Sequence, residues 1–329
     1  MSSHSRLVPI TVYLFLGGIL ILFALKHYII IHSSTGFEFD EVEQSSSMPR
    51  VNTVRTPTSK KNIQVLVLVS SLPHEYKLRA QIRASWANSS NLWQQQFVRV
   101  EFFMGRAKSQ KAENVIIAES EEFDDIIITD MEENYYNLAV KTFSMLAYKA
   151  ENYKDTKCMV KADIDNVLFL DNFVRLCEET VAPAILGKCD ISRRVQRTIT
   201  KWAVPKKVWP YETYPPYCST GTYVIAGSYV PKLLVQAAFS SEFATSANFR
   251  KLPEDVIFTG ILAEIINVRR RHVGGITFTE TPQFVCRNGY RHTYSLHMIR
   301  RKDHTYNYER IMQGEGKKCH LWDVLPIDL

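Results

Sequence analysis

The 329-residue sequence lacks several short motifs by which common ligand sites are recognised. It has no G-x-G-x-x-G segment and no glycine loop ending in G-K-[ST], so neither a dinucleotide-binding fold nor a P-loop nucleotide site is supported. Its six cysteines never occur as C-x-x-C, which argues against a zinc knuckle and a thioredoxin-type redox site. No internal repeat is present.

The sequence also lacks any long run of like charge. Its formal net charge of +6 is modest and spread along the chain. The two densest basic clusters, Arg269–His272 and Arg300–Lys302, are too short to indicate a nucleic-acid-binding surface. Each is explained at least as well by a solvated face or by contact with an anionic substrate.

One long apolar run is present, close to the N-terminus. Residues Leu7–Leu25 contain no charged side chain and are flanked by Arg6 and Lys26. As a helix, this run is long enough to cross a bilayer core of about 30 Å. A cleaved secretory signal is the alternative, but its apolar core is usually shorter and ends at a small-residue cleavage site, which does not follow here. We therefore expect an uncleaved membrane anchor, with residues 1–6 as a cytosolic tail.

The composition changes after the apolar run. Residues 33–61 are rich in Ser, Thr, Glu, Pro and Asn, and such a segment cannot bury enough apolar surface to offset its ordering entropy. We expect a flexible stem at 26–61 and a lumenal domain, as one core or two joined halves, at 62–329. A lumenal location permits disulfides, although Cys158 could equally be a buried free thiol. It would also make the sequon Asn88–Ser90 usable.

Apolar strand-like segments alternate with helix-like segments in the first half of this domain. Strands are expected at Ile63–Ser71, Val98–Gly105, Ile126–Thr129, Cys158–Lys161 and, further on, Gly221–Gly227, and helices at Glu75–Trp86 and Asn137–Tyr153. This alternation predicts an α/β fold with a mostly parallel sheet whose faces are covered by helices. Ligands of such sheets bind beyond the carboxyl ends of the strands.

An acidic pair, Asp163 and Asp165, follows the strand that begins at Cys158. Carboxylates are costly to bury, so a pair at the tip of a core strand needs a partner. A divalent metal ion carrying a nucleotide diphosphate fits, because Mg²⁺ and Mn²⁺ prefer oxygen ligands and often bridge carboxylates to substrate phosphates. The D-x-D pattern alone is weak evidence, since paired acids usually lie in solvated turns; the apolar residues on both sides strengthen it.

Two further segments carry candidate ligand-binding residues. Proline-rich loops carry Trp202, Tyr214 and Tyr217, whose rings could wall a sugar or nucleotide pocket or could fill the core beside the loops. Glu254 and Asp255 precede a helix-like apolar run that ends at Ile266, a position where acids often serve only as caps. The functional alternative is a general base at the helix N-terminus, facing the metal site.

Six of these segments, in this order, resemble the β-1,3-galactosyltransferase-like family of Golgi glycosyltransferases, which includes β-1,3-N-acetylglucosaminyltransferases and Fringe proteins. The similar segments are Arg79–Trp86 (R-x-x-I-R-x-T-W in the family), Phe102–Gly105 (F-x-x-G), Asp125–Thr142 (ending in N-L-T-x-K-T), Lys161–Asp165 (K-x-D-D-D), Lys201–Val224 (ending in Y-P-P-Y-C-S-G-x-G-Y-V) and Glu254–Val256 (E-D-V). This sequence departs from the family pattern at Ile164, Ala139 and Thr222, which indicates a divergent member.

The resemblance implies a GT-A fold and an inverting transfer of a sugar from a UDP-sugar to a glycan in β-1,3 linkage, with Mn²⁺ or Mg²⁺. Asp165 would bind the metal directly, Asp163 would contact the ribose or a metal-bound water, and His297 would be a further metal ligand. His292 is the second candidate, and a solvated surface histidine is the other interpretation of each. Asp255 would be the general base that deprotonates the acceptor 3-hydroxyl.

The resemblance also implies a set of substrate-binding residues and a cellular setting. The expected substrate contacts are Arg79, Arg83, Lys161, Asp163, Trp202, Tyr217 and Glu254. The setting is a single-pass type II protein of the Golgi membrane that acts on glycoproteins or glycolipids, with galactose favoured as donor and GlcNAc or GalNAc as alternatives. A catalytically silent lumenal protein that binds UDP-sugars or glycans on the same fold is the competing hypothesis, and a nucleotide-sugar hydrolase is a third.

Overall fold

The computed structural model describes residues 51–58, 62–88, 97–190, 193–198, 202–219, 221–240, 249–300 and 302–320. The predicted anchor at Leu7–Leu25 and most of the predicted stem lie outside these residues. Within the described ranges, no helix combines the length and the apolar character that a membrane crossing requires.

The described residues form a mixed α/β fold built on an eight-stranded sheet with the order β1-β4-β3-β2-β5-β10-β7-β11. The strands along the chain are β1 (Thr53–Arg55), β2 (Val65–Ser70), β3 (Val98–Arg106), β4 (Ile126–Glu132), β5 (Cys158–Asp163), β6 (Asn166–Leu168), β7 (Ala184–Gly187), β8 (Cys189–Asp190), β9 (Tyr217–Cys218), β10 (Thr222–Ala226), β11 (Arg269–His272), β12 (Val285–Arg287), β13 (Tyr290–His292) and β14 (Ser295–His297). The strands outside the main sheet pair as β6–β14, β8–β9 and β12–β13.

Helices lie on both faces of the main sheet. They are α1 (Tyr76–Ala84), α2 (Gln110–Phe123), α3 (Leu138–Asn152), α4 (Leu170–Glu179), α5 (Val230–Ser240), α6 (Leu262–Ile265) and α7 (His304–Met312). Alternate β2 residues, Val65, Val67 and Val69, pack with α1, α2 and α4, while α3 packs on β2 and β3 from the other side. Because both faces are covered, every residue of β2 is buried, which explains its uninterrupted apolar sequence.

The parallel half of the sheet confirms the sequence prediction. Strands β4, β3, β2 and β5 are neighbours and run parallel, and α1 and α3 occupy the predicted helical segments to within two residues. Helix α2 was not predicted. Only Ile116 and Ser120 of its fourteen residues are buried, so its apolar stripe is too narrow to give a clear helical period.

Strand β10 lies where the sequence predicts a strand but is antiparallel to both of its neighbours, β5 and β7. Thr222 pairs with Ala162 near the end of β5, and Ala226 pairs with Cys158 at its start. The chain therefore enters β10 at the carboxyl end of β5, from the proline-rich loops, and the described residues 193–198 and 202–219 of this connection contain no helix. An antiparallel direction follows from this entry point.

Three disulfides form among the described residues: Cys158–Cys177, Cys189–Cys218 and Cys286–Cys319. The first joins the start of β5 to α4, so Cys158 is not the free thiol that the sequence left open. The second joins β8 to β9, beside the loops that carry the aromatic residues.

Replacing Cys158 and Cys177 together by alanine is expected to lower the free energy of unfolding by about 2–4 kcal/mol, because the bridge restricts the unfolded chain. The loss is to be measured by chemical denaturation. The bridge lies at the start of β5, away from the acidic pair at its end, so ligand affinity should remain unchanged. A parallel loss of ligand affinity in the folded variant would contradict this separation.

Candidate active site

The acidic pair lies in the tight turn between β5 and β6, beside the end of β2 and the start of β10. Asp163 donates its backbone N–H to the Gly221 carbonyl at 2.8 Å, and Ile164 donates to the Ser70 carbonyl at 3.1 Å. The turn is therefore held by backbone hydrogen bonds from the strands on both sides. The middle residue, Ile164, is only 7% exposed and packs in the apolar core.

Asp165 lies next to cationic groups from the C-terminal part of the chain. Its Oδ2 atom is 3.4 Å from His297 Nε2 and 3.6 Å from Lys302 Nζ. Partial burial acts to raise the pKa of Asp165, but the hydrogen bond and charge of His297, together with Lys302, outweigh it and leave the pKa below its ordinary value. The hydrogen bond to Asp165 correspondingly raises the pKa of His297.

These residues fit a divalent metal ion. His297 Nδ1 lies 3.2 Å from the Phe278 carbonyl, and donation to that carbonyl leaves Nε2 as the ligating nitrogen, directed at Asp165. A carboxylate, an imidazole and a second nearby carboxylate, Asp163, suit Mn²⁺ or Mg²⁺, which complete their coordination with phosphate and water oxygens. Among the described residues, no group of three His, Cys, Asp or Glu side chains is already assembled for a metal.

Asp163 is joined to the second acidic segment through a buried lysine. The ammonium of Lys161 is 1% exposed and lies 2.7 Å from Asp163 Oδ1 and 2.7 Å from Glu254 Oε1. Tyr223 donates its hydroxyl to the other oxygen of Glu254 at 3.0 Å. Burial acts to lower the pKa of Lys161, but the two carboxylates raise it well above its ordinary value, so the ammonium stays charged.

Asp255 lies at the start of a buried helical run, as the sequence predicts, but the run begins as a π-helix, Val256–Ile261, before α6. Its carboxylate caps this helix by accepting the Val256 N–H at 2.9 Å. Burial, followed by the charge of Glu254, raises the pKa of Asp255 to about 7. Cap and general base are therefore compatible roles, and π-helical turns are frequent at functional sites.

The backbone of Asp255 is tied to the Cys189–Cys218 bridge. The Thr259 hydroxyl donates to the Asp255 carbonyl at 2.6 Å and accepts the Cys218 N–H at 2.9 Å. On the opposite side, Tyr135 has its pKa raised by burial and then by the charges of Asp255 and Asp163. Tyr135 therefore lies within electrostatic reach of both acids.

A cavity of about 930 Å³ opens over the ends of β2, β3 and β5. Tyr135, Asp163 and Asp165 line it. Basic side chains also line it, namely Arg106, Lys108, Lys111, Lys141 and Lys302. Lys141 is neutralised by Glu133 at 2.7 Å, and Lys302 lies 3.6 Å from Asp165. Arg106, Lys108 and Lys111 are further cations of the lining, which also includes Glu75, and they suit an anionic ligand such as a nucleotide diphosphate.

A sequence model of the family described as "Galactosyltransferase" matches residues 77–274, more than half of the chain, which include every strand from β3 to β11 in chain order. This chain belongs to the galactosyltransferase family. It is a glycosyltransferase, as the resemblance of its motifs predicts.

Relatives of this glycosyltransferase include β-1,3-galactosyltransferase 1 of Homo sapiens, which is 26% identical over 267 residues, 80% of this chain and 77% of the relative. The β-1,3-galactosyltransferase bre-2 of Caenorhabditis elegans is 26% identical over 227 residues, 66% of this chain and 62% of the relative. A solved structure of galactosyltransferase LgtC with donor and acceptor sugar analogues aligns with a TM-score of 0.40 and 14% identity, over 75% of this chain and 94% of that chain.

Two predicted substrate contacts of the glycosyltransferase, Arg79 and Arg83, lie on α1 in a network of charged side chains. Arg79 is fully buried and binds Glu119 at 2.6 Å and 2.9 Å, together with the Ser71 hydroxyl at 2.9 Å. Arg83 binds Asp125 in a bidentate pair at 2.7 Å and 2.8 Å and also binds Glu119. Neither arginine lines the cavity; Arg79 instead fixes the Ser71 segment that does.

Two of the three predicted aromatic residues follow the core alternative, and the third neither fills the core nor lines the cavity. Tyr217 is 7% exposed and packs edge-on against Tyr214 at 5.9 Å between ring centroids, so both rings fill the core beside the loops. Trp202 is 54% exposed and does not line the cavity. His292, the second candidate ligand, has Nδ1 2.9 Å from Glu315 and is therefore engaged away from the acidic pair.

Several residues at the site were not among the predicted set. Lys302 belongs to a basic cluster that the sequence left open between a solvated face and an anionic substrate, and the structure places it beside Asp165. Tyr135 adjoins the family-like Tyr136–Thr142 segment, but nothing in its spacing shows that it reaches two distant carboxylates. Gly221 is explained only by packing, because a Cβ there would lie 2.8 Å from Asp163 Oδ2.

Gly221→Ala is expected to weaken UDP binding about tenfold or more. The new methyl group would lie 2.6 Å from Asn166 Nδ2 and 2.8 Å from Asp163 Oδ2, so it would displace side chains that form the acidic turn, and support of a metal-site ligand is typically worth that much. Isothermal titration with UDP and Mn²⁺ measures the change. Gly289→Ala is the control: its φ of +82° makes alanine strained, but no atom lies within 4 Å of the new Cβ. Equal UDP affinity in both variants would contradict the packing argument.

Proposed function

We propose that this glycosyltransferase is an inverting β-1,3-galactosyltransferase that moves galactose from UDP-galactose to the 3-hydroxyl of a glycan acceptor, with Mn²⁺ or Mg²⁺. The observation that carries the proposal is that two kinds of carboxylate belong to one network of charges, in which Lys161 joins Asp163 to Glu254. The pKa of Asp165 lies below its ordinary value beside His297, whereas the pKa of Asp255 is raised to about 7. Environments that separate the pKa values of nearby acids assign them to different roles.

Asp255 is suited to the acceptor side of the reaction. A general base works best when its pKa lies near the working pH, and Asp255 is partly exposed at the start of a rigid, buried π-helix. In the proposed step, the acceptor oxygen forms a bond to the anomeric carbon as the bond from that carbon to the UDP oxygen breaks. The acceptor proton passes to Asp255, and this single displacement inverts the anomeric centre.

The donor side is assigned to the cavity and the acidic turn. Lys108, Lys111 and Lys302 line the cavity and would attract the diphosphate. A divalent ion, when bound by Asp165 and His297 with Asp163 nearby, would stabilise the negative charge that develops on the leaving phosphate. Ile164 removes one acid from the family motif, but its side chain packs into the core, so the two flanking carboxylates keep their positions.

The choice of galactose and of the β-1,3 linkage is supported by relatives named β-1,3-galactosyltransferase in mammals and in Caenorhabditis elegans. The location that we propose is the Golgi membrane, with the described domain in the lumen. The predicted anchor at Leu7–Leu25 and the three disulfides support it, because disulfides persist in oxidising compartments.

The proposal is tested by measuring UDP release from UDP-galactose, UDP-GlcNAc and UDP-GalNAc by the full-length chain, with a panel of β-linked acceptors and with Mn²⁺ or EDTA. Asp255→Asn is expected to lower kcat by about 10²–10⁴-fold, the usual contribution of a general base. Asp165→Asn should weaken donor binding instead. Glu264→Gln, at an exposed acid of α6, is the control and should leave both unchanged.

The outcomes separate the competing hypotheses. Acceptor-stimulated, metal-dependent release of UDP from UDP-galactose supports the proposal. If UDP is released faster from another UDP-sugar, that sugar takes the place of galactose as the proposed donor. UDP binding without turnover on any acceptor would indicate a silent binding protein, and equal release with and without acceptor would indicate a hydrolase.

The pH profile gives a second test. Asp255 accepts a proton only when it is ionised, and its pKa is raised to about 7. The value of kcat/KM for the acceptor should therefore rise with pH, reach half of its maximum near pH 7 and level off above about pH 8. This rise should be absent in the residual activity of Asp255→Asn, and an unchanged profile in that variant would exclude Asp255 as the titrating base.

A further inference from the structure

His304, the first residue of α7, connects the acidic turn to the core through its ring. Its side chain is completely buried. Nε2 lies 2.8 Å from the carbonyl oxygen of Ile164, the middle residue of the turn, and Nδ1 lies 3.0 Å from the indole nitrogen of Trp86, which follows α1. The three residues form a chain of two hydrogen bonds that ends on the peptide joining Ile164 to Asp165.

The partners of His304 determine its tautomer. The indole N–H of Trp86 can only donate, so Nδ1 must accept; the Ile164 carbonyl can only accept, so Nε2 must carry the hydrogen. Both ring nitrogens are satisfied only in this neutral form. Burial lowers the pKa of His304 to about 4, so the same form persists throughout the neutral pH range.

The position of the His304 ring is itself fixed from outside the turn. Its backbone N–H donates to the side chain of Gln81 on α1 at 3.1 Å, and Asp303 caps α7 by accepting the Tyr306 N–H at 2.9 Å. Trp86 is 1% exposed and belongs to the apolar core. The positions of α1 and α7 therefore determine where the His304 ring contacts the turn.

The peptide that His304 holds determines where Asp165 points. The Ile164 carbonyl and the Asp165 nitrogen belong to the same planar group, so rotation of this peptide would carry the Asp165 side chain with it. The Asp165 carbonyl is held separately by the Met298 N–H at 2.8 Å. Removing His304 would leave the carbonyl without this hydrogen bond, and the turn could relax toward another acceptor geometry.

We infer that His304 is a positioning residue for the metal site, holding the Ile164–Asp165 peptide so that the Asp165 carboxylate faces His297, with Trp86 fixing the tautomer. This inference rests on the proposed function, because it assumes that Asp165 and His297 bind a divalent ion. A buried histidine that serves packing alone would contribute to stability without affecting metal affinity.

The test compares His304→Leu, His304→Gln and Trp86→Phe in the full-length chain. The amide nitrogen of glutamine can take the place of Nε2, whereas leucine donates nothing. Mn²⁺ affinity in the presence of UDP is read from the electron paramagnetic resonance signal of free Mn²⁺, independently of turnover. His304→Leu is expected to weaken Mn²⁺ binding about 10–100-fold, the usual effect of losing support behind a metal ligand.

His304→Gln should restore most of this affinity, and Trp86→Phe should weaken it by a smaller factor, because the ring remains but its tautomer is no longer enforced. The KM for UDP-galactose should rise in His304→Leu and, by a smaller factor, in Trp86→Phe, and should stay near the wild-type value in His304→Gln. In all three variants the KM for the acceptor should stay within about twofold of the wild-type value, since Asp255 belongs to a different segment.

Tyr148→Phe is the matched control. It removes the hydroxyl that donates to Glu101 at 3.0 Å, another buried hydrogen bond to which neither acid of the turn contributes. The proposal is overturned if His304→Leu keeps wild-type Mn²⁺ affinity, or if Tyr148→Phe loses as much affinity at equal loss of stability. If His304→Leu does not fold, a folded Trp86→Phe with unchanged Mn²⁺ affinity overturns it instead.

Failure of the proposed function gives a different result. In that case the wild-type chain itself does not remove Mn²⁺ from solution in the presence of UDP, and both proposals fall together. If the wild-type chain binds Mn²⁺ and the variants bind it equally well, only the proposed role of His304 is disproved.

Discussion

The site depends on one buried ammonium group. Lys161 carries a charge in the interior of the sheet and is neutralised by Asp163 from its own strand and by Glu254 from a segment 93 residues further along the chain. Without the cation, these carboxylates would repel one another at close range, and without the carboxylates the cation would be too costly to bury. The mutual requirement sets the spacing between the turn after β5 and the helix that Asp255 begins.

This arrangement produces two electrostatic environments a short distance apart. Asp165 faces His297 and Lys302, which lower its pKa and keep it ionised. Asp255 is buried beside the charge of Glu254, and its pKa is raised to about 7, so it can gain and lose a proton near neutral pH. Lys161 moderates the effect at Asp255 because it lowers the pKa that burial and Glu254 raise. One fold thus offers an anion for binding a cation and a base for taking a proton, using the same residue type.

What the sequence predicts correctly is mostly local. Strand β2 is apolar throughout because both of its faces are covered, and the acidic pair interrupts an otherwise buried segment, so each leaves a signal in neighbouring residues. The direction of β10 depends on where a long loop returns. The partners of Arg79 and Arg83, and the contact of His304 with a carbonyl 140 residues earlier, depend on tertiary packing that no local pattern contains. Lys161 and Glu254, which the sequence predicts as substrate contacts, are buried in the structure and pair with each other.

The bridge between Cys189 and Cys218 has a consequence beyond cross-linking two short strands. Two hydrogen bonds through the Thr259 hydroxyl connect the backbone of Cys218 to that of Asp255. The position of Asp255, the proposed proton acceptor, therefore depends in part on the disulfide between Cys189 and Cys218, which forms after synthesis. Neither cysteine of this bond belongs to the parallel strands β4, β3, β2 and β5. A chain kept in a reducing environment would lack this tether, so we expect the placement of Asp255 to depend on oxidation of these two thiols.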